Sequence, residues 1–251
     1  MRLPPRLDHR LARLRREARD RVLGRGEPDL KVVREDLAVR YLRGSGIEIG
    51  ALNFPMRVPP GVHVRYVDRQ SGEELRAEYG AMYPGVPIVA PDVLDDGERL
   101  ATFADGSLDF VIANHMLEHT EDPVGTLRHH LRVLRPGGVL FLALPHPVHT
   151  FDAPRERTTV EHVLRDHAEG PQWSRRAHYE DWARNVREVG EEDLSEYVRT
   201  LEAERANIHF HVWEPQGFLA MVAAAALPAT LECLLRTGHE YVVILRRDPV
   251  A

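Results

Sequence analysis

Only one cysteine, Cys233, occurs in 251 residues, so the chain can form no internal disulfide. Its place in an apolar run reads as a buried free thiol. No apolar stretch approaches the roughly 18 residues that a membrane helix needs. The longest near the C-terminus, Phe218 to Leu227, is short and rich in alanine. The arginines at the start are followed by no apolar segment of the secretory kind. These absences predict a cytoplasmic chain with no membrane partner. A net charge of −6 gives the whole molecule no attraction for nucleic acid. Base is concentrated in residues 1–46, which hold twelve Arg and one Lys against seven Asp and Glu. A solvated helix face is the ordinary reading of such a run. A basic lid or a patch for an anionic substrate is the sharper one.

What is present is a change of period. Leu11, Leu14, Ala18 and Val22 recur at helical steps and predict a helix over 8–23. A second short helix is expected over 30–42. After that the apolar residues gather into short runs: Ile47–Ile49, Val62–Val67, Pro87–Ala90, Leu108–Ala113 and Val139–Leu144. The last is continuously apolar, as befits a strand buried on both faces. A helix over 122–134 ends at Pro136-Gly137-Gly138. Thr230–Leu235 and Glu240–Arg246 flank a tight turn and predict a hairpin. Strands separated by helical segments imply right-handed crossovers and a doubly wound, Rossmann-like α/β fold. Its sheet is expected to have seven mostly parallel strands, with the last antiparallel. The chain thus divides into an N-terminal helical segment, 1–44, and a main domain, 45–251. Residues 146–207, polar and rich in His, Arg and Glu, form a helical insertion on the substrate side.

In such a sheet, ligands lie beyond the carboxyl ends of the strands, where the strand order reverses. Gly50 follows the first strand and would let a ligand approach the backbone closely. Ala51 is small enough to keep that turn. Glu48 lies two residues earlier. Asp68 ends the second strand, twenty residues after Glu48, at a spacing suited to holding ribose hydroxyls. Asp92 and Val93 follow the expected third strand, where a carboxylate and an N–H could meet a purine edge. Asn114 ends the fourth. Together they describe a nucleoside pocket without a phosphate cradle. The stretch Ala51-Leu52-Asn53-Phe54-Pro55 lacks the Gly-rich turn that a nicotinamide dinucleotide requires.

The succession Glu48-Ile49-Gly50-Ala51-Leu52-Asn53, Tyr66-Val67-Asp68, Pro91-Asp92-Val93, Leu117-Glu118-His119, Leu134-Arg135-Pro136-Gly137-Gly138 and the final hairpin resembles class I S-adenosylmethionine-dependent methyltransferases. It is most similar to the bacterial group called type 11. The resemblance covers about residues 45–145 and 210–247. It implies S-adenosylmethionine as cofactor. Glu48 with Gly50 would then serve the amino-acid end, Asp68 the ribose, Asp92 with Val93 the adenine, and Asn114 the methionine amine.

Methyl transfer needs donor and acceptor held in line and often a base for the acceptor's proton. Among 14 histidines, His115, His119, His146, His149, His209 and His211 fall near the expected carboxyl side. His119 or His149 is the expected base, with His115 shaping the methyl-transfer pocket. On a helix, positions i, i+3 and i+4 share a face, so His115, Glu118 and His119 could instead converge on a divalent transition metal. Some relatives bind a metal at this place through a Glu-x-x-Glu-His segment. His129 and His130 read as solvated helix positions, and Arg155, Arg157, Arg175 and Arg176 as a solvated charge run. The sequence therefore predicts a methyltransferase acting on a small molecule, with O-methylation expected. The alternative is a cofactor-binding protein of the same fold with a regulatory role. Nothing in the chain specifies the acceptor or the oligomeric state.

Overall fold

The apolar run Val139–Leu144 becomes the middle of the longest strand, and its residues are all 3% exposed or less. A computed structural model describes residues 30–249 of the chain. The helix expected over 8–23 lies outside them. The strands are β1 (Ser45–Ile49), β2 (His63–Asp68), β3 (Val93–Leu94), β4 (Leu108–Asn114), β5 (Leu134–Pro145), β6 (Ala229–Arg236) and β7 (Glu240–Arg247). They form one sheet in the order β3-β2-β1-β4-β5-β7-β6. Only β7 runs against its neighbours, β5 and β6. The order reverses between β1 and β4, so the ligand crevice belongs above their carboxyl ends.

The helices are α1 (Leu30–Tyr41), α2 (Gly72–Tyr79), α3 (Pro123–Val133), α4 (Val160–Glu169), α5 (Arg175–Asn185), α6 (Glu191–Glu204) and α7 (Pro215–Ala224). Alternate residues of the central strands face opposite ways and build two cores. Val111, Leu140, Leu142 and Val243 pack with Leu127 of α3, Val163 of α4 and Phe218 of α7. Phe110, Ile112, Phe141 and Ile244 pack with Val33, Leu37, Ala38 and Leu42 on and just after α1. Local chemistry fixes the helix starts. Asp122 caps α3 by accepting the Gly125 N–H at 2.8 Å, with Pro123 in the first turn. Ser71 and Glu74 form a capping box on α2. No helix among the described residues is long and apolar enough to cross a membrane.

Four expectations change. The connection between β1 and β2, residues 50–62, contains no helix. Pro55, Pro59 and Pro60 remove helix donors there, and α1, ahead of β1, covers that face. The strand expected over 87–90 makes no ladder. It lies between Pro87 and Pro91, and the Val89 N–H turns to Leu52 O at 2.7 Å. The third strand is Val93–Leu94 instead. Within the insertion, α4 joins α3 and α7 on the sheet. α5 and α6 pair around a core of their own that includes Tyr179, Leu194, Val198 and Phe210. Cys233 is half-buried rather than buried.

Candidate active site

The crevice has an open floor. Gly50 takes a left-handed φ of +63°, and no atom lies within 4 Å of the place a Cβ would occupy. Only glycine adopts that conformation without penalty. Its N–H bonds to Val67 O at 3.0 Å, which ties the turn to β2. Ala51 is half-buried next to it. Asp68 stands at the carboxyl end of β2, half-buried, with Oδ1 accepting the Gln70 N–H at 3.1 Å. Burial pushes its carboxyl pKa up against the pull of the Gln70 and Arg69 amides. Asn114 ends β4, and its buried Oδ1 has no partner among the described residues.

Two of the expected cofactor residues are placed otherwise. Glu48 is 1% exposed, and both its carboxylate oxygens accept the Met56 N–H, at 3.1 and 3.0 Å. It staples the 50–56 loop from below, and burial pushes its pKa up to about 7. Asp92 precedes β3 rather than following it. Its carboxylate accepts the Tyr66 N–H at 2.8 Å, in place of a ladder carbonyl. Val93 sits within the strand, opposite Val67. The acids beyond the carboxyl end are Asp95 and Asp96. Asp95 spends its carboxylate on the Thr102 N–H and hydroxyl, at 2.8 and 2.6 Å. Asp96 remains exposed. A pocket of about 230 Å³ opens beside the crevice, lined by Lys31, Arg34, Phe54, Met56 and Arg57. Lys31 and Arg34 on its rim belong to the N-terminal basic run, and Glu35 on the same rim pairs with Arg57 at 3.2 Å.

A second set of groups runs from α1 across the ends of β4 and β7. Arg34 makes a two-pronged ion pair with Glu240, its Nε donating to Oε1 at 2.9 Å and a terminal nitrogen to Oε2. Glu240 opens β7, is 1% exposed, and also accepts from His115 Nε2 at 2.7 Å. His115 Nδ1 lies 3.5 Å from Glu118 Oε1. Burial alone would lower the His115 pKa, but the bonds and charges of Glu118 and Glu240 outweigh it and push it up to about 9. At neutral pH His115 is therefore a cation. Its folded pKa lies above the unfolded 6.5. The stability it contributes is complete below pH 6.5 and is lost as pH rises through about 9. His115→Gln is expected to flatten the stability profile across that window in urea unfolding at graded pH. A profile as steep as the parent's would assign the titration to another group.

The ligand face expected of His115, Glu118 and His119 does not form as a helix face. His115 has a left-handed φ of 51°, and Leu117–His119 is a single 3-10 turn, so the i, i+3, i+4 stacking is lost. Glu118 and His119 are instead grouped with His209, their ligand atoms within 4.8 Å of one another. Glu118 is 1% exposed, and neither of its oxygens has a hydrogen-bond partner among the described residues. His119 donates from Nδ1 to Ile208 O at 2.9 Å, which leaves Nε2 with its lone pair. Burial lowers its pKa, so it is neutral at pH 7. His209 donates from Nδ1 to Asp152 at 2.7 Å, and Asp152 is held in turn by buried Arg155 at 2.9 Å. His149 keeps other company, beside His146, His239 and Arg236 at the ends of β5 and β7.

Several polar residues depart from the solvated reading. His130 is fully buried and donates from Nε2 to Gly97 O at 2.8 Å; desolvation pulls its pKa down to about 4. Arg155 is buried between Asp152 and Asp181, and Arg175 grips Glu121. Arg34, Glu240 and Asp152 escaped the sequence reading altogether. The one signal for Glu240 was a lone acid opening an otherwise apolar strand.

Residues 67–142 match the model of a family described as a methyltransferase domain. Among curated proteins none matches the chain. Many solved structures resemble it. One is a S-adenosylmethionine-dependent methyltransferase from Aquifex aeolicus, at 11% identity and a TM-score of 0.47, covering 88% of this chain and 90% of that one. Another is a S-adenosylmethionine-dependent methyltransferase from Methanosarcina mazei, at 14% identity and a TM-score of 0.44, covering 84% and 96%. A third, from Thermotoga maritima, is described as a possible histamine N-methyltransferase. It stands at 16% identity and a TM-score of 0.44, covering 86% and 89%.

Proposed function

We propose that this chain is a class I S-adenosylmethionine-dependent methyltransferase that transfers the methyl group to an oxygen of a small molecule, a reading that the family match over residues 67–142 and the strand order support. The observation that carries the reading is the buried imidazole of His119, just past the end of β4, whose Nδ1 is tied to Ile208 O and whose burial favours the neutral form. The bound cofactor supplies an electrophilic methyl carbon. The residues present fit its outline. The open space over Gly50 admits the chain of the ligand. Asp68 would accept both ribose hydroxyls, and Asn114 Oδ1 would accept from the amine. Glu48 acts one layer down, by holding the loop that carries Ala51. His119 would take the proton of the acceptor hydroxyl as that oxygen receives the methyl group. The pair His115–Glu240 lends the pocket a fixed charge and fills its wall.

A specific observation favours a second reading of the same place. Glu118 has two buried oxygens close to His119 and His209, and its one near cation, His115, stands no closer than 3.5 Å among the described residues. A divalent transition metal held by Glu118, His119 and His209 would satisfy them and orient acceptor hydroxyls. His119→Ala, assayed for turnover on a panel of hydroxylated acceptors, separates the two. A base is typically worth about 100-fold or more in rate, so turnover should fall by that factor with cofactor affinity nearly unchanged. Bound metal that Glu118→Gln releases supports the metal reading. Cofactor binding with no turnover on any acceptor would leave a cofactor-binding protein of this fold.

A further inference from the structure

Away from the crevice, four side chains converge beneath the insertion. His162 and Asp166 lie one turn apart on α4, His178 lies on α5, and His211 on the segment leading to α7. Each offers one ligand atom, and the four atoms lie within 4.8 Å of one another. His162 Nε2 is 3.0 Å from His178 Nε2 and 3.2 Å from Asp166 Oδ2; His211 Nε2 is 3.8 Å from the same oxygen and 3.3 Å from Glu121 O, a contact it would give up to a metal. A tetrahedron with metal–ligand bonds of about 2.0–2.1 Å has edges of about 3.3 Å. The observed separations bracket that length.

Other features point the same way. Asp166 is fully buried, and its Oδ2 lacks a hydrogen-bond partner among the described residues. Its other oxygen accepts from Ser174 Oγ at 2.6 Å, which fixes the carboxylate as outer-shell partners do. Three imidazoles gathered on one carboxylate oxygen have no apolar reason to be there. Trp213 stacks on His211 with centroids 5.2 Å apart, and Trp173 lies against His162 at 4.8 Å, walling the group. His162 keeps 26% of its side chain exposed and provides a way in.

We propose that His162, Asp166, His178 and His211 form a tetrahedral zinc site that joins the insertion to the sheet. Three imidazoles and one carboxylate suit zinc, whereas magnesium and calcium prefer oxygen donors. Four protein ligands leave no open position, so the site is structural. Its ligands come from a helix packed on the sheet, α4, from a helix of the separate insertion core, α5, and from the 208–213 segment. That segment also presents Ile208 O to His119 and carries His209, and the Phe210 N–H bonds to Glu118 O at 2.8 Å. The metal therefore steadies the backbone on which His119 depends, without touching the reacting atoms.

The test reads metal, not activity, and so stands apart from the function proposed above. Full-length, tag-free chain is stripped with chelator and titrated with zinc chloride, or with cobalt chloride for its visible spectrum. Binding of one equivalent at this site, with an intense d–d band of tetrahedral cobalt and a change in tryptophan fluorescence, is the expected result. Asp166→Asn and His178→Ala should abolish the band, and Glu118→Gln should keep it. Circular dichroism checks that the variants remain folded. A stripped parent chain that takes up no zinc or cobalt overturns the proposal. So does a band that survives Asp166→Asn and His178→Ala, or one that disappears in Glu118→Gln alone, which would place the metal at Glu118, His119 and His209.

Discussion

Asp68→Ala is expected to weaken S-adenosylmethionine binding about 100-fold, while the cofactor-free chain melts within a few degrees of the parent. Asp68 ends β2 at the crevice, and its carboxylate accepts from the local amides of the turn that follows. A carboxylate so placed can meet two ribose hydroxyls, and hydrogen bonds to a charged group are worth about 1.5–3 kcal/mol each. Removing the carboxylate loses those bonds in the complex. It removes little from the free protein, because burial already raises the Asp68 pKa and makes its charge costly there. Asp68→Asn should fall between the two, keeping the shape and losing the charge. Titration calorimetry decides the matter: an unchanged dissociation constant for Asp68→Ala would take the ribose role away from this residue.

Arg34→Met should produce the largest loss of stability, about 3–5 kcal/mol, the usual cost of stranding a buried charge. Arg34 is 7% exposed and Glu240 1%. With the guanidinium gone, the Glu240 carboxylate keeps only His115 as its cation among the described residues. The double variant Arg34→Met/Glu240→Leu should recover most of the loss, since two apolar groups replace two charges that no longer need each other. Urea unfolding of both single variants and the double variant measures the coupling. If the two single losses simply add, Arg34 and Glu240 do not stabilise the fold through each other.

The sheet was legible because its strands are short apolar runs with turn residues between them. Val139–Leu144 and the hairpin fell where period and composition placed them, whereas Pro136-Gly137-Gly138 lies inside β5, which already starts at Leu134. The third strand was misplaced because Pro87–Ala90 is apolar enough to read as a strand. A two-residue ladder at Val93–Leu94 leaves almost no periodic trace. That shift carried Asp92 to the wrong side of the strand. The absence of a helix between β1 and β2 follows from Pro55, Pro59 and Pro60, which remove backbone donors there. The polar site was harder to read. Arg34 and Glu240 are 206 residues apart, and no local pattern reports such a contact. The grouping of His162 with His178 and His211 depends on how α5 folds back, which the sequence states only as a run of charged helix.

The placement of α1 bears on how the chain is made. Its apolar side closes on Val242 and Ile244, in the last strand to leave the ribosome. At about 5–20 residues per second, synthesis of the intervening stretch takes roughly 10–40 s. Throughout that interval Val33, Leu37 and Leu42 lack the strand they finally cover, and one face of the sheet lies open. Closing that face is therefore the last step in forming the sheet, and until then the chain carries apolar surface of the kind that chaperones bind.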